Sequence, residues 1–277
     1  MQDDKKNKIL DMLTQAAGVA ELDERSRKYR NIVGILAQQA VQSADSWYLE
    51  EALKTAELVT EDASKAYVEI IRAMAKIGAI RKDEQMLRQA VKTAGRIDNN
   101  LDLSVALHEI GIAFAKYGID KKDERIFSYS LELIERIPLN TFHSSAFRNI
   151  SRMLAGSNPE RAMELLETAI ELIEKSKDTE PVHLISAFCD IASLLAKYDD
   201  ERSFGFIRRA ITLADDVADD FDKSAVLLKI VETEIAIGTQ QHNEGLLKEA
   251  SLLSEKITRE YYKTLAFNAI GSRGSAT

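Results

Sequence analysis

Ala106-Leu107-His108-Glu109-Ile110-Gly111-Ile112-Ala113-Phe114-Ala115-Lys116-Tyr117-Gly118 decides the fold, because near-copies of it recur along the chain. Its first residue belongs to the series Ala66, Ala106, Ala146, Ala187, Val226 and Ala266, spaced by 40, 40, 41, 39 and 40 residues. Four residues after each stands an isoleucine: Ile70, Ile110, Ile150, Ile191, Ile230 and Ile270. Such a register marks one supersecondary unit copied along a chain. With the series as position 0, large apolar side chains recur at +1 (Tyr67, Leu107, Phe147, Phe188, Leu227, Phe267) and at +8 (Met74, Phe114, Leu154, Leu195). At about 100° per residue these positions share one half of a cylinder, which predicts an amphipathic helix, helix A. Glycine at +12 (Gly78, Gly118, Gly238) reads as a left-handed helix end.

A second helix, B, keeps the same period. Met12, Ala52, Ala90, Ser130, Ala169, Ala210 and Ala250 are mostly small, and three residues before each the side chain is large, from Ile9 and Leu49 to Leu247. Asn158-Pro159 fits a helix start, since the missing N–H of proline has no partner in a first turn. The expected fold is all-α: an α-α hairpin solenoid of about fourteen antiparallel helices and no β-sheet. Seven B-then-A pairs fill residues 1–271 as one continuous array, followed by a flexible tail at 272–277. Small residues let neighbouring helices approach while large ones interlock in the grooves. Asp3, Asp4, Lys5, Lys6 and Lys8 give the first helix the polar character of a cap.

The stretch from Ile110 to Gly118 resembles the first helix of a tetratricopeptide repeat, which carries Leu-Gly, an aromatic three residues on and a glycine four beyond that. The spaced small residues Ala90 and Ala94, or Ala210 and Ala214, are similar to its second helix. The period near 40 is longer than the 34 of that family, and most repeat ends lack proline, so the likeness is to tetratricopeptide-like α-solenoids broadly, with HEAT-type repeats as the rival. The resemblance implies a protein-binding scaffold whose A helices line the concave surface.

A net charge of −8, from 37 basic and 45 acidic residues, speaks against a general nucleic-acid binder. No apolar stretch approaches the roughly 20 residues that span a bilayer, and no secretory leader opens the chain, so a cytoplasmic protein without a membrane segment is expected. The single Cys189 forms no internal disulfide and reads as a structural thiol.

No catalytic constellation is visible, so the expected function is non-enzymatic, with no cofactor. The polar stripe of helix A, at +3, +6 and +10, gives the candidate groove for a protein or peptide partner: Glu69, Arg72, Lys76, Glu109, Lys116, Asn149, Arg152, Asp190 and Lys197. Arg72 and Arg152 would anchor carboxylates or backbone carbonyls; the bland alternative is a solvated face. The close sequence of Tyr261, Tyr262, Leu265 and Phe267 points to a homo-oligomer through the last helix, or to a docked partner. Asp215-Asp216-Val217-Ala218-Asp219-Asp220 resembles the DDxxD motif by which isoprenyl diphosphate synthases hold magnesium and a diphosphate. The resemblance implies a sensor or enzyme for a prenyl diphosphate; without a second such motif, helix-capping aspartates are the preferred reading. His108-Glu109 lacks the second histidine of a zinc protease motif, and His108, His143, His183 and His242 show no metal-ligand spacing.

Overall fold

The computed structural model describes residues 2–43, 45–176 and 179–272, with side chains from residue 4 onward. Among them are fourteen α-helices and no strand. In chain order they are α1 (Gln2–Ala17), α2 (Leu22–Ser43), α3 (Trp47–Ala56), α4 (Ala63–Arg81), α5 (Glu84–Ala94), α6 (Asn100–Lys121), α7 (Glu124–Ile134), α8 (Asn140–Leu154), α9 (Pro159–Glu174), α10 (Pro181–Leu195), α11 (Asp200–Asp215), α12 (Asp220–Gln240), α13 (Glu244–Glu255) and α14 (Glu260–Gly271). Even-numbered helices are the A helices and odd-numbered ones the B helices. The chain divides into two compact units, Met1–Ala146 and Phe147–Thr277. Of the expected tail, Ser272 caps α14, and 273–277 lie outside the described residues, as does the Asp3 side chain.

The register residues form the core. Ala66, Ala106 and Ala146 are fully buried, as are Ile70, Ile110, Ile150, Ile191 and Ile230. So are the B-helix small residues Ala52, Ala90, Ser130, Ala169, Ala210 and Ala250. Each buried isoleucine contributes about 1.5–3 kcal/mol relative to leaving it in water. In the first unit α2, α4 and α6 lie side by side in chain order, and in the second α10, α12 and α14 do the same. The B helices α3, α5, α11 and α13 each pack more extensively on the A helix before them than on the one after, so the tight hairpin there is A followed by B. The expected polar cap appears in α1: Lys8 and Gln15 are exposed where Tyr48 and Thr55, or Ile126 and Leu133, are buried in register.

The glycines at +12 do not end their helices. Among the described residues no glycine has positive φ; Gly78, Gly118 and Gly238 lie inside α4, α6 and α12, and a Cβ there would stand 2.6, 2.7 and 2.7 Å from Leu87, Phe127 and Leu247 of the next helix. They are glycine because a B helix crosses there with no room for a methyl group. The left-handed residue comes four positions later, at Lys82, Lys122 and His242 (φ 56°, 55° and 53°). The following N–H of Asp83, Asp123 or Asn243 returns to the glycine carbonyl at 2.8–3.0 Å, a Schellman closure. The same three side chains then cap α5, α7 and α13, so two residues end one helix and begin the next.

In α8 and α10 the turn comes one helical turn earlier, at Asn158 and Asp199, and α9 and α11 are longer in compensation. A hydroxyl replaces the glycine contact. Ser151 of α8 donates to the Ala162 carbonyl of α9 at 2.7 Å, and in the next hairpin Ser203 of α11 donates to the Ala192 carbonyl of α10 at 2.8 Å. Serine and alanine have exchanged places while the bond persists.

Candidate functional site

The polar face of the A helices gathers its charges differently in the two units. In the first, the Arg72 guanidinium of α4 donates to Glu69 at 2.9 Å and approaches Glu109 of α6 at 3.9 Å. All three are partly exposed, and Lys76 and Lys116 stand exposed one turn further along. Two carboxylates thus meet one guanidinium.

In the second unit the balance is reversed. Arg152 of α8 donates to Asn149 at 3.1 Å and reaches toward Asp190 of α10 at 3.9 Å. Arg148 of α8 lies 3.9 Å from the same carboxylate, and the Lys229 ammonium of α12 lies 3.3 Å from it. Three cations from two helices therefore surround one carboxylate. Separations of 3.9 Å are Coulombic contacts beyond hydrogen-bond reach. The side chains run from half-exposed Arg152 and Lys229 inward to buried Arg148, whose guanidinium burial pushes below its ordinary pKa against the pull of Asp190. Lys197 is exposed beyond this group.

The structure thus brings together Glu69, Arg72 and Glu109 in one unit and Asn149, Arg152 and Asp190 in the other. Lys229 was legible, since it occupies the +3 position that Asn149 and Asp190 occupy in their own copies. Arg148 was not: at +2 the other copies carry Arg30, Val68, His108, Cys189, Leu228 and Asn268, a mixture in which no periodic signal announces a buried cation.

The remaining candidates have structural duties. Asp216 ends α11, and Asp219 caps α12 by accepting from the Asp222 N–H at 2.9 Å. Asp220 accepts from the Thr258 hydroxyl and pairs with Arg259 at 2.7 Å. Among the described residues no three histidine, cysteine or acidic side chains are placed to share a metal. His108 meets the Ser145 hydroxyl at 3.2 Å, and the buried His143 ring lies 3.7 Å from Glu135, with burial pushing its pKa down. Cys189 is buried between α10 and α12, and burial pushes its thiol up to about 12, leaving it protonated at neutral pH. On α14, Tyr261 and Phe267 are exposed, and ring centroids 5.3 Å apart link Phe221 to Tyr262 and Tyr262 to Tyr261. No helix among the described residues is long and apolar enough to cross a membrane.

No family model matches the chain, and no curated protein matches it. Among solved structures it is similar to Ton1535 from Thermococcus onnurineus NA1, with 13% identity over 97% of each chain and a TM-score of 0.28. At that score the likeness carries no argument about this chain.

Proposed function

We propose that the chain is a non-enzymatic, tetratricopeptide-like scaffold of the cytoplasm that holds a protein or peptide partner along the polar face of its A helices. The observation that carries this reading is the cluster of Arg148, Arg152 and Lys229 around the lone carboxylate of Asp190. One carboxylate leaves most of the N–H donors of Arg152 and Lys229 available to carboxylates or main-chain carbonyls of a bound segment. The half-exposed pairs that Arg152 and Lys229 make with Asp190 add little to stability, about 0–1 kcal/mol each, so stability alone is a weak reason for grouping them. Photo-crosslinkers placed at positions 72 and 152, and at Arg208 on the opposite helix type as a control, test the reading. A discrete adduct from the two A-helix positions and none from the control is expected; equal labelling from all three contradicts it.

A second reading, a homo-oligomer through α14, is favoured by Phe267. That side chain is 47% exposed, whereas its register counterparts Tyr67, Leu107, Phe147, Phe188 and Leu227 are at most 8% exposed. Light scattering across a concentration series checks it: a mass that rises for the wild type and stays monomeric for Phe267→Lys supports it, and a monomer in both removes it.

A further inference from the structure

Between α3 and α5, in the first unit, runs a groove of about 460 Å³. Its lining includes three cations, Arg88, Lys92 and Arg96, and no carboxylate, in a chain whose net charge is −8. The rest of the lining is Leu53 with the polar Gln85, Gln89 and Thr93. Arg88 and Lys92 stand four residues apart on α5, a rise of about 6 Å, and Arg96 follows in the turn after the Gly95 cap.

Two of the three are held in place by their surroundings. The Arg88 guanidinium lies over the Tyr129 ring at 5.2 Å and pairs with Glu84 at 2.7 Å. Arg96 lies over Tyr67 at 5.5 Å and pairs at 2.9 Å with Glu57, the residue that caps the end of α3. Stacked, paired guanidiniums lose little freedom when they bind a further acceptor. Lys92, between them, is exposed and makes no side-chain hydrogen bond or ion pair among the described residues.

We propose that this groove binds an extended acidic peptide segment with carboxylates on alternate residues. Charge complementarity selects an acid, and the amide side chains beside the cations select an extended one, whose main chain is free to hydrogen-bond. Same-face side chains of an extended chain repeat about every 6.6 Å, close to the 6 Å rise from Arg88 to Lys92. Gln85 and Gln89 supply amide donors and acceptors for the peptide main chain. The surface is independent of the A-helix face proposed above.

The test is fluorescence anisotropy of the full chain with a capped, labelled hexapeptide of alternating glutamate and serine. Alternating glutamine and serine, and a single-stranded oligonucleotide, serve as comparison probes. The glutamate peptide is expected to bind saturably, to weaken as salt rises, and to lose about tenfold or more in affinity in Lys92→Glu while binding normally to Arg208→Glu, a change at an exposed residue outside both surfaces. Lys92 is exposed, so the variant keeps its fold, and circular dichroism checks this. No binding, equal binding of the glutamine peptide, an unaffected Lys92→Glu, or preference for the oligonucleotide overturns the proposal.

Discussion

Glu234 occupies the +8 position of α12, where the other copies place Met74, Phe114, Leu154 and Leu195. Its carboxyl is fully buried, with neither oxygen hydrogen-bonded, and faces the negative charge of Glu249. Burial first, and Glu249 second, push its pKa up from 4.5 to about 8. At neutral pH it is therefore a protonated, apolar-like side chain. The unfolded chain releases this proton near pH 4.5 and the folded chain near pH 8, so between them the native state binds the extra proton. Stability therefore falls as pH rises through that window, by up to about 1.4 kcal/mol per unit. Urea denaturation from pH 5 to 9 should show this fall in the wild type and lose it in Glu234→Gln, and Glu234→Met should gain about 1–3 kcal/mol at pH 8. Identical pH profiles would contradict the assignment. The buried Cys189 thiol should react with a thiol reagent only as fast as the chain opens; fast labelling of the native protein would contradict its burial.

At the scale of the helix, the contacts that join copies are polar as well as apolar. A buried serine two residues before position 0, which is Lys28 in α2, accepts from a backbone N–H at the start of the next A helix. Ser26 takes Glu61 at 2.9 Å, Ser64 takes Asp98 at 3.5 Å, Ser104 takes Leu139 at 3.2 Å and Ser224 takes Arg259 at 3.3 Å. Each hydroxyl satisfies a donor that helix geometry leaves orphaned. Ser104→Ala should cost about 1–3 kcal/mol by stranding the Leu139 N–H, measured by thermal or urea unfolding. Gly118→Ala should cost more than Gly78→Ala, because the added methyl meets the Phe127 backbone at 2.7 Å in one and a movable Leu87 side chain at 2.6 Å in the other. Lys122→Gly should stabilise by about 0.5–1 kcal/mol by relieving a left-handed lysine. Equal costs for the two alanines, or destabilisation by Lys122→Gly, would show that the turn is misunderstood.

For the whole molecule, the apolar register carried the helices because burial repeats with the period of the copied unit, and the alanines and isoleucines that set it are buried up to the last copy, where Ile270 is half-buried. The glycines misled for a physical reason: a helix end and a close helix crossing both require a residue without Cβ, and only the position of the next helix separates them. The serine series stands in the sequence, yet a small polar residue at helical spacing looks like a solvated one until the turn that covers it is placed. Of the candidate site, the polar stripe was legible by elimination from the apolar one, whereas Arg148 interrupts an otherwise mostly uncharged position and had no periodic signal. The measurement that bears most directly on the proposed role is affinity capture with three forms of the full chain: wild type, the A-face variant Arg72→Glu/Arg152→Glu, and the B-helix control Arg208→Glu. A partner retained by the wild type and the control but lost from the A-face variant is the predicted result, and the same proteins retained by all three would contradict it.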